Sequence, residues 1–288
     1  MPTLDASELA ENYGFALSFF KSNSELWKVF NKAVRGNWTS TKFQAALKNT
    51  RWYRKTEKSY RDYLFAKADD PASMAAKINA TTAQVVDAAT TMGARLSYKK
   101  AAMIARNSIA HGWSDSQTRD YLSNYVRMKN GVFYGEAADT AQALRETAWR
   151  NGVRISSTTL QKYARAVARG DMSVEEYKTK IRKSAASLAP DHADQLAAGQ
   201  DLYDIAQPYM QSMASTLEIP STDIDLFDKT IRSALSNRDS KGRPVSKTLW
   251  EFERDLRQDS RWLKTDKARD EMSSTAKSVL STFGFQGV

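Results

Sequence analysis

The chain has 288 residues, with 43 Lys+Arg against 33 Asp+Glu, two histidines and no cysteine. That length buries a sizeable core in one or two domains, and the lack of cysteine excludes disulfide staples, a thiol nucleophile and thiolate metal sites. A net charge of +10, with an isoelectric point near 9.6, favours polyanionic partners without choosing among them.

The opening residues Met1-Pro-Thr-Leu-Asp-Ala-Ser-Glu lack the basic and apolar regions of a secretory signal, so synthesis in a cytoplasm without export by that route is expected. No stretch approaches the roughly 20 apolar residues that span a bilayer. Ser24 precedes Glu25-Leu26-Trp27, and Phe30 and Val34 keep one face of that segment apolar. Thr39 or Ser40 caps a short helix that carries Phe43 and Leu47. Asp70-Pro71 opens the longest periodic stretch, Ala-rich, through Met74, Ile78, Val85, Val86 and Met92. Helical patterns follow at 97–110, 115–127, 136–149, 157–168, 173–187, 200–216, 223–236, 246–258 and 266–282. Only 131–135 and 153–156 read as extended, and both are too short to build a sheet. The predicted fold is all-α: a bundle of short amphipathic helices joined by tight turns, with no substantial sheet.

The breaks between helices are short, and none is a long Gly/Ser or Pro-rich linker. A break near 130–135 separates an N-terminal helical lobe, 1–130, from a C-terminal lobe, 131–288, unless the helices form one continuous domain. Gly36-Asn-Trp38-Thr39 with Phe43 and Leu47 is echoed by Gly170-Asp-Met172-Ser173 with Tyr177 and Ile181. Gly112-Trp113-Ser114 and Gly242-Arg-Pro-Val-Ser246 open further helices in the same manner. Helix-turn-helix punctuation and internal duplication both account for these echoes. A closer echo links Phe43, Leu47, Arg51-Trp52 and Thr56 to Phe252, Leu256, Arg261-Trp262 and Thr265. Trp52 and Trp262 are read as structural wedges in the corner between two helices, with the Thr restarting the second.

The usual catalytic vocabulary is thin. There is no phosphate-cradling P-loop, dinucleotide fingerprint or nucleophile elbow. His111 and His192 are 81 positions apart, without metal-ligand spacing; the first reads as a helix-end cap and the second as part of a helix-start turn. Glu8, Glu11, Glu25, Glu175 and Glu176 are the candidates for a glycosidase acid pair, but their neighbours place them on polar faces or in first helical turns. No catalytic, cofactor or metal residue is assigned.

The compositional anomaly is 42–67, where Lys42, Lys48, Arg51, Arg54, Lys55, Lys58, Arg61 and Lys67 face only Glu57 and Asp62. Trp52, Tyr53, Tyr60, Tyr63 and Phe65 interleave with them. On a helix Arg51, Lys55 and Lys58 align, as do Arg54, Lys58 and Arg61, to give a basic ridge beside an aromatic one. One reading is a grip for phosphate backbone or an acidic partner, carried by Lys48, Arg51, Arg54, Lys55, Lys58 and Arg61. The other is a solvated helix face whose aromatics point into the core. Both stay open at this point.

The blocks Leu26-Trp27-Lys-Val-Phe30, Trp38-Thr-Ser-Thr-Lys-Phe43 through Trp52-Tyr53, and Asp70-Pro71-Ala72 resemble virion structural proteins of actinobacterial tailed phages. The resemblance continues through Gly135-Glu136, Asn151-Gly152-Val153, Gly170 to Tyr177 and Ala206-Gln-Pro208-Tyr209, and ends in Ser246 to Phe252, Arg261-Trp262 and Phe283-Gly284. It spans most of the chain, rests on structural punctuation, and brings no catalytic residues. It implies a minor tail, neck or internal virion protein, made in the host cytoplasm and carried in the particle. Its expected partners are other virion proteins and copies of itself, with DNA as a further candidate. Two alternatives are retained: a non-specific nucleic-acid binder that contacts the genome, and a wall-degrading virion enzyme.

Overall fold

Sparse glycine and proline, apolar positions at helical spacing and Ser, Thr, Asn or Asp at the starts leave the backbone few choices other than helix. The structure, a computed structural model, describes residues 17–282. Among them are sixteen α-helices, three 3₁₀ turns and isolated bridges, with no strand or sheet, so the fold is all-α. Glu8, Glu11 and Phe283-Gly284 lie outside the described residues. The chain divides into two compact units, Met1–Ala138 and Asp139–Val288. No helix among the described residues is long and apolar enough to cross a membrane.

The first unit holds α1 (Leu17–Lys21), α2 (Ser24–Arg35), α3 (Ser40–Lys48), α4 (Arg51–Lys55), α5 (Lys58–Asp69), α6 (Pro71–Met92), α7 (Tyr98–His111) and α8 (Asp115–Ser123). Asn23, one residue before the predicted start, caps α2 by accepting from the Glu25 and Leu26 N–H groups (2.9 and 3.3 Å). Thr39 caps α3. Phe19, Phe20, Leu26, Phe30, Ala33, Phe43 and Leu47 form one buried cluster, in which Phe20 stacks on Phe30 at 4.8 Å. Asp70 caps α6 with Pro71 in its first turn, and α6 packs along α7. The predicted helix at 115–127 stops at Ser123 because Val126, fully buried, turns away to bridge Ala94.

Helix α9 (Gly135–Arg150) begins in the first unit and ends in the second. The second unit continues with α10 (Ser157–Arg169), α11 (Val174–Ala185), α12 (Ala193–Ala197), α13 (Leu202–Leu217), α14 (Lys229–Leu235), α15 (Leu249–Leu256) and α16 (Asp266–Thr282). Its core gathers Leu196, Leu202, Met213, Leu217, Ile231, Leu235, Phe252, Leu256 and Trp262. Two predicted starts move. Helix α15 opens at Thr248 rather than Ser246, because Thr248 and Glu251 form a reciprocal capping box. The pattern at 223–236 yields only α14, since Asp225 and Asp228 side chains bind nearby N–H groups and hold the preceding residues in turns.

Ion pairs staple this unit. The Asp201 carboxylate accepts from Arg150 Nε (2.7 Å), Arg182 Nε (2.9 Å) and Asn151 Nδ2 (2.8 Å). Burial pulls the Asp201 carboxyl upward, but the hydrogen bonds from Arg150, Asn151 and Arg182 together hold it below the usual carboxylate range. Lys247 does the same to Asp255, and Arg261 to Asp259. A depressed folded-state carboxyl stabilises above its unfolded pKa and loses that contribution as pH falls through the folded value. The second unit is therefore expected to keep its melting temperature from neutrality down to about pH 4 and to lose it progressively below. A melting curve that stays flat to about pH 2.5 contradicts this.

Candidate functional site

The basic–aromatic segment does not form one ridge. Thr50, 5% exposed, donates to the Leu47 carbonyl (2.6 Å) and accepts from the Tyr53 N–H (3.1 Å), so it closes α3 and starts α4. Glu25 reaches in from α2 and accepts from the N–H groups of Arg51 (2.8 Å) and Trp52 (2.9 Å). Those two bonds, with the Arg51 and Arg54 charges, hold the Glu25 carboxyl below its ordinary range. Helix α4 then ends at Lys55, because Thr56 is extended (φ −96°, ψ 130°) and Glu57 opens α5. Lys55 and Lys58 thus sit on different helices, and the continuous alignment expected of Arg51, Lys55 and Lys58 is broken. It is Glu57, not Thr56, that restarts the helix.

Arg61 is committed to the fold. Its guanidinium donates to the Tyr53 and Thr56 carbonyls and lies 3.9 Å from the Tyr53 ring centre, closing the end of α4. Lys58 pairs with Asp62 one turn on (2.7 Å), both exposed. Lys48, Arg51, Arg54 and Lys55 are exposed and form no ion pair among the described residues. Between α3, α4 and α5 opens a cleft of about 400 Å³, floored by Phe19, Leu47, Trp52 and Phe65 and rimmed by Lys48, Lys58 and Arg61. Trp52 is half-buried there, its ring edge-on to Phe19 at 5.6 Å.

The two tryptophans read as wedges occupy different positions. Trp262 is 7% exposed and belongs to the core of the second unit, whereas Trp52 lines the cleft. The structural counterpart of Thr265 is Thr50 rather than Thr56. Thr265 also donates back three residues, to the Trp262 carbonyl, and accepts from the Ala268 N–H. A remote glutamate, Glu218, accepts from the N–H groups of Asp266 and Lys267 as Glu25 does from Arg51 and Trp52. So Trp262 precedes the capping Thr and packs inward, while Trp52 follows it and stays half-open.

Elsewhere, His111 ends α7, lies 3.2 Å from a Glu57 oxygen and stacks on Tyr60. His192 sits 2.9 Å from Ser246 Oγ and 2.6 Å from Gln195 Oε1, a serine–histidine contact across 54 residues that the sequence did not announce. The Ser246 N–H donates to an Asp191 carboxylate oxygen (3.1 Å). This contact ties the 190–192 turn to the loop ahead of α15. Among the described residues no group of three or more His, Asp or Glu is placed to hold a metal ion. Glu25, Glu175 and Glu176 do not meet as an acid pair. Glu25 serves α4, Glu175 pairs with Lys178, and Glu176 completes the Ser173 capping box.

Charge is unevenly divided. Residues 17–138 carry 20 Lys+Arg and 9 Asp+Glu, whereas 139–282 carry 23 and 21. The excess that composition reports for the whole chain therefore belongs to the first unit, where the cleft lies. Comparison with known protein families, curated proteins and solved structures finds no match to this chain.

Proposed function

We propose that this chain is a structural component of a tailed-phage particle, a minor tail, neck or internal virion protein, that acts by packing against other chains. The observation that carries this reading is a set of uncovered apolar side chains between 249 and 279. Leu249, Trp250, Leu263, Met272 and Val279 are all exposed, Trp250 by 67% and Leu263 by 63%. In α16 every residue from 269 to 279 is exposed, although the helix carries Met272, Ala276 and Val279 at heptad spacing. Helices in proteins draw most of their stability from packing an apolar face, and aromatic and methionine side chains are enriched where proteins meet. Arg254 covers one face of Trp250 at 5.2 Å and leaves the rest of the ring to a partner. The sequence blocks that resemble actinobacterial phage virion proteins supply the kind of assembly, and particle symmetry would multiply the copies.

The test is the content of gradient-purified particles, by quantitative mass spectrometry and antibody labelling. The chain is expected to sediment with intact particles at a constant ratio to the capsid protein. Recovery only in the unsedimented lysate overturns the proposal.

A further inference from the structure

Independently of that reading, we infer that the cleft between α3, α4 and α5 binds single-stranded nucleic acid, with one base against Trp52 and the backbone on Lys48, Arg51, Arg54 and Lys55. Three observations converge on it. The acids nearest the cleft are already engaged: Glu25 is turned onto the N–H groups of Arg51 and Trp52, and Asp62 holds Lys58. The four cations are exposed and form no direct ion pair among the described residues, although Arg51 and Arg54 feel the Glu25 charge, in a unit where basic residues outnumber acidic ones by 20 to 9 over 17–138. The cleft, about 400 Å³, admits a planar base, and Trp52 is the ring left open to it, since Arg61 lies over Tyr53.

On α4 the helical period puts Arg51, Arg54 and Lys55 on one side and Trp52 and Tyr53 on the other. Lys48, at the end of α3, lines the cleft. A base seated in the cleft thus leaves its phosphate near Lys48, and the adjoining backbone runs onto the outer side of α4. Aromatic stacking with a cationic track is how single strands are held without sequence preference. A duplex keeps its bases stacked inside and has nothing to offer Trp52. An acidic protein segment brings a few carboxylates, whereas the excess of cations is spread over the whole unit, as suits a polymer charged at every residue.

The experiment is fluorescence anisotropy of the full chain with a labelled oligothymidylate of about 20 nucleotides at low salt. Duplex DNA of equal length and poly-glutamate serve as competitors, and circular dichroism confirms the fold of each variant. Binding of oligothymidylate in preference to both competitors is expected. Its log affinity should fall against log salt with a slope of about −3, roughly −0.7 for each of four phosphate contacts. Joint replacement of Lys48, Arg51, Arg54 and Lys55 by Ser should remove most of that slope and most of the affinity, leaving only the weak attraction of the unit's remaining basic excess. Trp52→Leu, which keeps apolar packing but removes the stacking ring, should weaken oligothymidylate about tenfold and leave duplex binding unchanged. No binding by the folded chain overturns the inference. So does equal affinity for duplex and single strand with Trp52→Leu silent, which marks a charge-only surface. Tighter binding of poly-glutamate overturns it in favour of an acidic protein partner.

Discussion

Asp201→Ala is expected to be the most damaging substitution among the second unit's ion pairs, lowering its stability by about 3 kcal/mol. The carboxylate is the shared acceptor of Arg150, Arg182 and the fully buried Asn151, and its side chain is 14% exposed. Removing it leaves Arg182 without its ion-pair partner among the described residues and takes one of two acceptors from Asn151 Nδ2. Arg150 keeps Asp204, which it grips through both oxygens (2.7 and 2.9 Å), so the loss is not total. Asn151 Oδ1 also accepts from the Leu202 N–H (3.0 Å), which places this network at the start of α13, the helix on which much of the core is built. Asp201→Asn keeps the shape and one acceptor oxygen, so it should cost less and also blunt the loss of stability in acid. Urea unfolding of the two variants checks the order. Equal stability of Asp201→Ala and the parent contradicts it.

Gly93→Ala should damage the first unit by about 3 kcal/mol or more, through backbone rather than lost contact. Gly93 ends α6 in the left-handed conformation (φ +81°), and a Cβ there would fall 1.8 Å from the Tyr134 carbonyl oxygen. The approach is mutual, because a Cβ on Gly135 (φ +53°) would fall 2.3 Å from the Thr91 carbonyl oxygen. Neither obstacle is a flexible side-chain end, so the backbone itself must move. Gly170, also a left-handed cap (φ +88°), has open space around its Cβ position, so Gly170→Ala should cost only the conformational penalty. Thermal melts of the pair separate the close approach from the conformation.

Much of the architecture could be read from residues a few positions apart. Capping at Thr39, Ser114 and Ser173, and the Asp70-Pro71 start, rest on side chains that bond within their own turn. The segment 42–67 stood out by composition, yet its shape did not follow from spacing. The helix breaks at Thr56, and Arg61 becomes a staple, because Glu25 anchors α4 from 26 residues upstream and Arg61 bonds two carbonyls of the same corner. The Asp201 network and the His192–Ser246 contact join residues roughly 50 apart, for which local periodicity carries no signal. Trp52 and Trp262 show the same limit: similar local sequence, with the spacing changed by one residue, but opposite sides of a capping threonine, so that Trp262 is buried and Trp52 only half-buried.

The proposed assembly role rests on the exposed apolar side chains between 249 and 279 meeting other chains. Hydroxyl-radical footprinting of the free chain and of the chain within purified particles measures this directly at Trp250, Leu263 and Met272. Rapid oxidation in the free chain and strong protection in the particle is the predicted result. Equal oxidation in both states would contradict it.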